Sequence, residues 1–277
     1  MQSFKNVFSR TFLYFILAIQ SVIALYPIFL MLLTSLKTNK DIFTNPYGLP
    51  TIWAFKNFIS IVKISNYFVY FRNSLIVTIA SILLIIIFSL LPSYIIAKYK
   101  FFGKNLVYLY FLAGIMIPIR LGTLNIVQTM NRLNLIDSLF SLILIYTAMG
   151  IPLGVLILSN FIKDIPEELS NAARIDGCTE YGIFSKIIIP NIKPAITAAA
   201  IINILPIWND FWFPLILIKS DNLKTIPLAT ANLFGQYQTD FGLVFAALSL
   251  ASIPMLIFYL AISNQFIKGV EAGALKG

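Results

Sequence analysis

An all-α protein, a polytopic bundle of six membrane-spanning helices, is what this sequence predicts, and three observations carry the prediction. Of its 277 residues 59% are hydrophobic and 11% charged, and the mean hydropathy is +0.87, whereas about a quarter of the residues of a soluble domain are charged. Six apolar runs reach the roughly 20 helical residues that a hydrocarbon core of about 30 Å demands. These runs are continuous, where a membrane β-barrel would show segments of about ten residues with alternating polarity.

The first run, Thr11–Leu33, follows Lys5 and Arg10. It is too long for the core of a signal peptide and lacks a small-residue cleavage site, so it reads as a retained helix. Asn73–Ala97, Leu106–Val127, Leu139–Phe161, Ala195–Ile218 and Phe241–Ser263 follow. Each run holds a proline (Pro27, Pro92, Pro118, Pro152, Pro206 or Pro214, and Pro254), which removes a backbone donor and kinks a helix that neighbours must then satisfy. Ordinary membrane-helix punctuation accounts for most of them. The chain thus divides into a first helix with an external loop (1–68), a core (69–264) carrying a polar loop at 163–193, and a tail (265–277).

The formal charge of +9 would suggest nucleic acid in a soluble protein. Here the basic residues sit in short connections between apolar spans and act on topology instead, so nucleic-acid binding is not expected. Six crossings put both termini on one side. With the N-terminus inside, the turn bearing Lys98, Lys100 and Lys104, the 163–193 loop and the tail with Lys268 and Lys276 are all cytoplasmic. The external segment still carries Lys37, Lys40, Lys56, Lys63 and Arg72, so the cytoplasmic side wins by density and not by count. With no histidine and one cysteine, Cys178, the chain cannot assemble a Cys/His zinc site, a Ser-His-Asp triad or an internal disulfide. The phosphate-cradling G-x-x-x-x-G-K-[ST] pattern is absent as well. Neither catalysis nor a cofactor is expected of this chain, and any ATP that drives it is bound by a partner.

The polar loop is the most informative stretch. Pro166 suits an early helical position, Glu167 and Glu168 sit at the positive N-terminal end, and Leu169, Ala172, Ala173 and Ile175 supply an apolar face. Small Ala172 and Ala173 permit close approach to a partner's groove. Asp176-Gly177 is a turn pair, and Gly177 is free to take the left-handed conformation that reverses the chain. Thr179 is placed to cap a second helix with Phe184, Ile187 and Ile188 on one face, which Pro190 is expected to end.

The order Asn171-Ala172-Ala173, three residues, Gly177, nine residues, Ile187-x-Ile189-Pro190 resembles the cytoplasmic loop of ABC importer permeases, written E-A-A, three residues, Gly, nine residues, I-x-L-P. Asn171 stands where that pattern has Glu, and Ile189 where it has Leu. The resemblance narrows to maltose-type sugar permeases, and to the shorter six-helix subunit, through further stretches of the chain. These are Ser35-Leu36-Lys37, Asp41-Ile42-Phe43, Pro46, Leu49-Pro50, Asn57-Phe58, Asn73-Ser74-Leu75, Trp208-Asn209-Asp210-Phe211, Pro214-Leu215 and Ala272–Gly277. It implies a type I ABC importer permease in a bacterial or archaeal cell membrane. Its implied partners are a second permease, two copies of an ATPase and an extracytoplasmic sugar-binding protein. It further implies that Glu168, Asn171, Ala172, Ala173, Asp176, Gly177 and Pro190 belong to a loop docked in a cleft of the ATPase. The missing charge at Asn171 leaves Glu168, one turn earlier on the same face, as its replacement.

Two further sites follow. Asp210 is the one acidic residue placed within or at the rim of a span, where an ionisable group should face a cavity or partner. In one reading Trp208, Phe211 and Trp212 stack on a sugar while Asn209 and Asp210 accept its hydroxyls; in the other the aromatics form an interfacial belt and Asp210 lies in water. The end of the chain, with Ala272, Gly273, Lys276 and Gly277, reads either as a frayed terminus or, by the resemblance, as a tail inserted between the ATPases. An ion-coupled transporter would call for paired intramembrane carboxylates or matched broken repeats, and neither is found. An importer of the same build for polyamines or amino acids is disfavoured only by the resemblance of the Trp208–Leu215 segment and the tail.

Overall fold

A computed structural model describes residues 2–64, 66–233 and 239–274, with side chains over 10–63, 66–233 and 239–260. In chain order the helices are α1 (Gln2–Ser35), α2 (Asn39–Thr44), α3 (Lys56–Ile64), α4 (Tyr67–Lys98), α5 (Lys104–Met116), α6 (Thr123–Arg132), α7 (Leu139–Lys163), α8 (Glu167–Ile175), α9 (Glu180–Ile183), α10 (Ile189–Asn191), α11 (Lys193–Asn209), α12 (Trp212–Leu217), α13 (Ile226–Ala231) and α14 (Phe241–Ala274). No strand occurs among the described residues, and the all-α expectation holds.

Four helical segments are long and apolar enough to cross a membrane by themselves: Arg10–Ser35, Tyr67–Lys98, Leu139–Lys163 and Phe241–Leu260. Six crossings result if two bent pairs each count as one, Lys104–Met116 with Ile119–Arg132 (82°) and Glu180–Asn191 with Lys193–Asn209 (69°). The expected third span is therefore broken at Ile117-Pro118, where both residues are extended. Proline disfavours helical backbone in the residue before it, so the break falls where the sequence dictates. The expected fifth span, Ala195–Ile218, breaks between α11 and α12 at Asp210, which is also extended. Pro27, Pro92, Pro152, Pro206 and Pro254 lie inside continuous helices.

The chain forms two compact units, residues 1–67 with 229–254, and 68–228 with 255–277. In the first, the loop after α1 is a built structure. Lys37 is fully buried and donates Nζ to the carbonyls of Asn45 (2.7 Å) and Pro46 (3.0 Å). Asp41 accepts the Thr51 amide at 2.8 Å, and Asn57 donates to the Ser35 and Lys37 carbonyls at 2.9 and 3.0 Å. These residues are polar because they satisfy the backbone of a strandless loop that no ladder can serve.

In the second unit α7 is the central helix, wrapped by α4, α5, α11 and α12. Gly150 and Gly154 form a small-x-x-x-small stripe on it: a Cβ at Gly150 would collide with Ile85 and Asn203, and one at Gly154 with Ser89. Such stripes let backbones approach where lipid gives no hydrophobic drive for helix association. Ser89 and Ser93 of α4 use that proximity, reaching the Ile151 and Val155 carbonyls at 3.3 and 3.4 Å. At one end of the unit Asp137 gathers the Lys219 and Ser220 amides, each at 2.8 Å, and the Ser220 hydroxyl. Nearby Asn73 donates to the Asn222 and Lys224 carbonyls. The opposite end holds α8–α10, packed on the terminus of α4 through a core that includes Tyr94, Ile162, Ala173, Ile183, Phe184 and Ile188.

Candidate functional site

The loop between α7 and α11 is a helix–turn–helix. Glu167 and Glu168 occupy the first turn of α8, complementing its positive end. Gly177 has φ +81°, the left-handed turn expected of it, and a Cβ there would meet nothing within 4 Å, so conformation and not space demands glycine. Thr179 caps the second helix by accepting the Gly182 amide at 3.2 Å. The chain passes through a π turn, Phe184–Ile188, before α10. Pro190 lies inside α10 and does not end the helix, because the widened turn ahead of it lets the Ile189 amide reach back to Phe184. The 69° bend comes at Ile192 instead.

Burial splits the expected apolar face of α8 in two. Ser170 and Ala173 are buried against the bundle, whereas Leu169, Ala172 and Ile175 are exposed, Ile175 at 86%. They leave an apolar strip on a polar loop, and Tyr181 of α9 is exposed as well. Glu168, Asn171 and Asp176 are exposed beside it.

Asn171 is engaged: its Oδ1 accepts from Arg174 Nη1 at 2.8 Å. Arg174 in turn donates Nε to Glu180 Oε1 (2.7 Å) and Nη2 to Glu180 Oε2 (3.3 Å). The same Oε2 accepts from the hydroxyls of Tyr99 (2.6 Å) and Tyr94 (3.2 Å). The hydrogen bonds from Arg174 and Tyr99 hold the Glu180 carboxyl down at about 2, and the bond to Glu180 pushes the Tyr99 hydroxyl up. Across neutral pH this knot is a carboxylate with two phenols and a guanidinium. Lys98 adds a donor to the Ile165 carbonyl. Sequence reading missed Arg174, Glu180, Tyr94 and Tyr99; the signal available was Arg174 and Glu180 facing each other across the Asp176-Gly177 turn.

The second candidate lies at the break of the fifth span. Asp210 is not in water: its side chain is 10% exposed. Its Oδ2 accepts from the Tyr146 hydroxyl (2.8 Å) and the Phe213 amide (3.0 Å), and Oδ1 lies 3.7 Å from Arg120 Nη2. The carboxylate thus serves an orphan amide of α12 and holds together α7, α12 and the turn before α6. Trp208 is buried, edge-on to Phe71 at 6.1 Å between centroids. Trp212 keeps an exposed edge and donates Nε1 to Thr123 at 3.1 Å. Asn209 is exposed and bonds back to the Leu205 carbonyl, and Arg120, which sequence reading did not single out, is 70% exposed. Ala272 and Gly273 lie in the last turn of α14, while Lys276 and Gly277 fall outside the described residues.

Fold and site define a multi-pass helical membrane protein with a packed polar loop at one end of its core. The sequence model of the binding-protein-dependent transport system inner membrane component matches residues 80–271. The chain belongs to that family, a class of inner-membrane transport permease. It is 36% identical to the putative ABC transporter permease protein ORF2 of Caldicellulosiruptor sp. (strain Rt8B.4), over 95% of this chain and 96% of the relative. It is 33% identical to the arabinooligosaccharides transport system permease protein AraQ of Halalkalibacterium halodurans, over 92% of each. A solved bacterial ABC transporter involved in the import of the acidic polysaccharide alginate shares the fold, with a TM-score of 0.82 at 18% identity over 94% of this chain and 97% of the matched one.

Proposed function

We propose that this chain is the shorter permease subunit of an ATP-driven, binding-protein-dependent importer of carbohydrate. It pairs with a homologous second permease, two copies of a cytoplasmic ATPase that bind the ATP, and an extracytoplasmic sugar-binding protein. Both termini and the 163–193 loop lie in the cytoplasm. The observation that carries the reading is the apolar strip of Leu169, Ala172 and Ile175, exposed on a loop whose other face is fixed to the bundle. Such a strip suits a cleft in a soluble partner better than it suits water. The relatives' carbohydrate names support the substrate class.

ATP-driven closure of the ATPases draws the docked loop with it and opens the bundle outward, where the binding protein delivers its sugar; hydrolysis resets the cycle. At the broken fifth span, exposed Asn209, Trp212 and Arg120 offer donors and an aromatic edge to a hydroxylated solute, while Asp210 sets their positions. The test is Ala172→Asp, which puts an unpaired charge into the desolvated contact at a cost on the order of a few kcal/mol. The variant inserts into the membrane but loses its ATPase on purification and its uptake of sugar; normal uptake by it would remove the loop from the mechanism.

A further inference from the structure

Docking explains how α8 holds an ATPase, but not how its motion reaches the membrane. On α8 the docking strip is exposed, and only Ser170 and Ala173 of its central residues are buried in the bundle, so a pull on the strip would tend to peel this short helix away. Beside the shared apolar core, the side-chain hydrogen bonds that tie Arg174 of α8 to the end of α4 run through one carboxylate. Glu180 receives two donors from Arg174 on α8 and two phenols from Tyr94 and Tyr99 at the end of α4. Tyr94 also packs on Phe184 with centroids 5.2 Å apart and on Tyr99 at 5.7 Å. Arg174 and Glu180 are each close to half exposed, and a surface ion pair of this kind adds little to fold stability. Its worth is geometric: a planar guanidinium fork and two rigid rings share one acceptor and fix the angle between α8 and α4.

Resting on the coupling role proposed above, we propose that Glu180 is a positioning residue for coupling, the point where motion of the docked α8 is handed to α4 through Arg174 on one side and Tyr94 and Tyr99 on the other. Removing the phenols leaves the Arg174–Glu180 pair and the docking strip untouched. Only the two hydrogen bonds from the end of α4 to Glu180 are then cut, while the ring packing stays.

The test uses the full complex with its ATPase, second permease and binding protein, in a Cys178→Ser background with spin labels at Leu91→Cys on α4 and Leu109→Cys on α5, both sites exposed. The inter-label distance is measured before and after trapping with ATP and vanadate. Tyr94→Phe with Tyr99→Phe should retain the full complement of ATPase and its melting temperature, yet at least halve the nucleotide-driven distance change; Glu180→Gln, which keeps one acceptor, should fall between. An unaltered change in the double variant overturns the proposal, as does the lack of any change with the knot intact. Loss of the ATPase from the complex without these substitutions would instead refute the coupling role itself.

Discussion

Asp210 shows how a single side chain decides the shape of a span. A carboxylate in an apolar run must find donors, and it finds the Tyr146 hydroxyl, the Phe213 amide and Arg120 only because the helix opens at that point. Asp210→Ala should leave the Tyr146 and Phe213 donors stranded at about 1–3 kcal/mol each, lowering the melting temperature in detergent markedly, whereas Asp210→Asn, which keeps an acceptor, should lose less. Equal melting temperatures for the two variants would show that the carboxylate serves neither donor. In the 163–193 loop, Asn171 is occupied by Arg174, while Glu168 is exposed one turn away. Glu168→Gln should therefore reduce stimulation of the ATPase by loaded binding protein more than Asn171→Ala does, and equal, negligible effects would mean neither position meets a cation of the partner.

At the scale of elements, the turn between α8 and α9 and the stripe on α7 place opposite demands on glycine. Gly177 sits in open space at positive φ, so Gly177→Ala should cost about 1 kcal/mol of conformational strain and act on coupling more than on insertion. Asn, which tolerates the left-handed region, should be milder than Val in the same assay. Gly154 sits against Ser89; Gly154→Val should force α4 and α7 apart at about 1–3 kcal/mol or more, seen as lost thermal stability of the purified subunit. For α14, 34 residues make a helix of about 50 Å against a hydrocarbon core of about 30 Å. The helix is therefore about 20 Å longer than one crossing requires. Deleting Glu271–Gly277 should weaken ATPase binding or activity without preventing insertion, measured by the ATPase recovered with the permease; unchanged recovery, activity and uptake would favour a frayed end.

For the molecule as a whole, the class was legible because hydrophobicity over 20-residue windows is a bulk property that no local contact overrides. The Gly177 turn and the Thr179 cap were legible because each is decided within four residues. The breaks were not. Pro118 gave a clue to one, yet nothing local to Asp210 announces that the Tyr146 hydroxyl, 64 positions earlier, will donate to its carboxylate. The Glu180 knot was hidden for the same reason: Tyr94 and Tyr99 lie more than 80 positions from Glu180, and only folding brings them to the loop. Trp208 read either as a ring stacked on a sugar or as part of an interfacial belt, and only packing against Phe71 takes it inside.

Lys37 bears on how the orientation of the chain is read. Five basic residues between Ser35 and Arg72 blur the charge asymmetry, but Lys37 is a strut buried under two carbonyls, whereas Lys40, Lys56 and Lys63 are exposed. On the proposed orientation, an impermeant amine-reactive dye applied to sealed cells would stain Lys40, Lys56 and Lys63 and pass over Lys37 until detergent or heat opened the loop. That one dark position among bright neighbours would serve as a built-in reporter of whether the outer loop had matured after translocation.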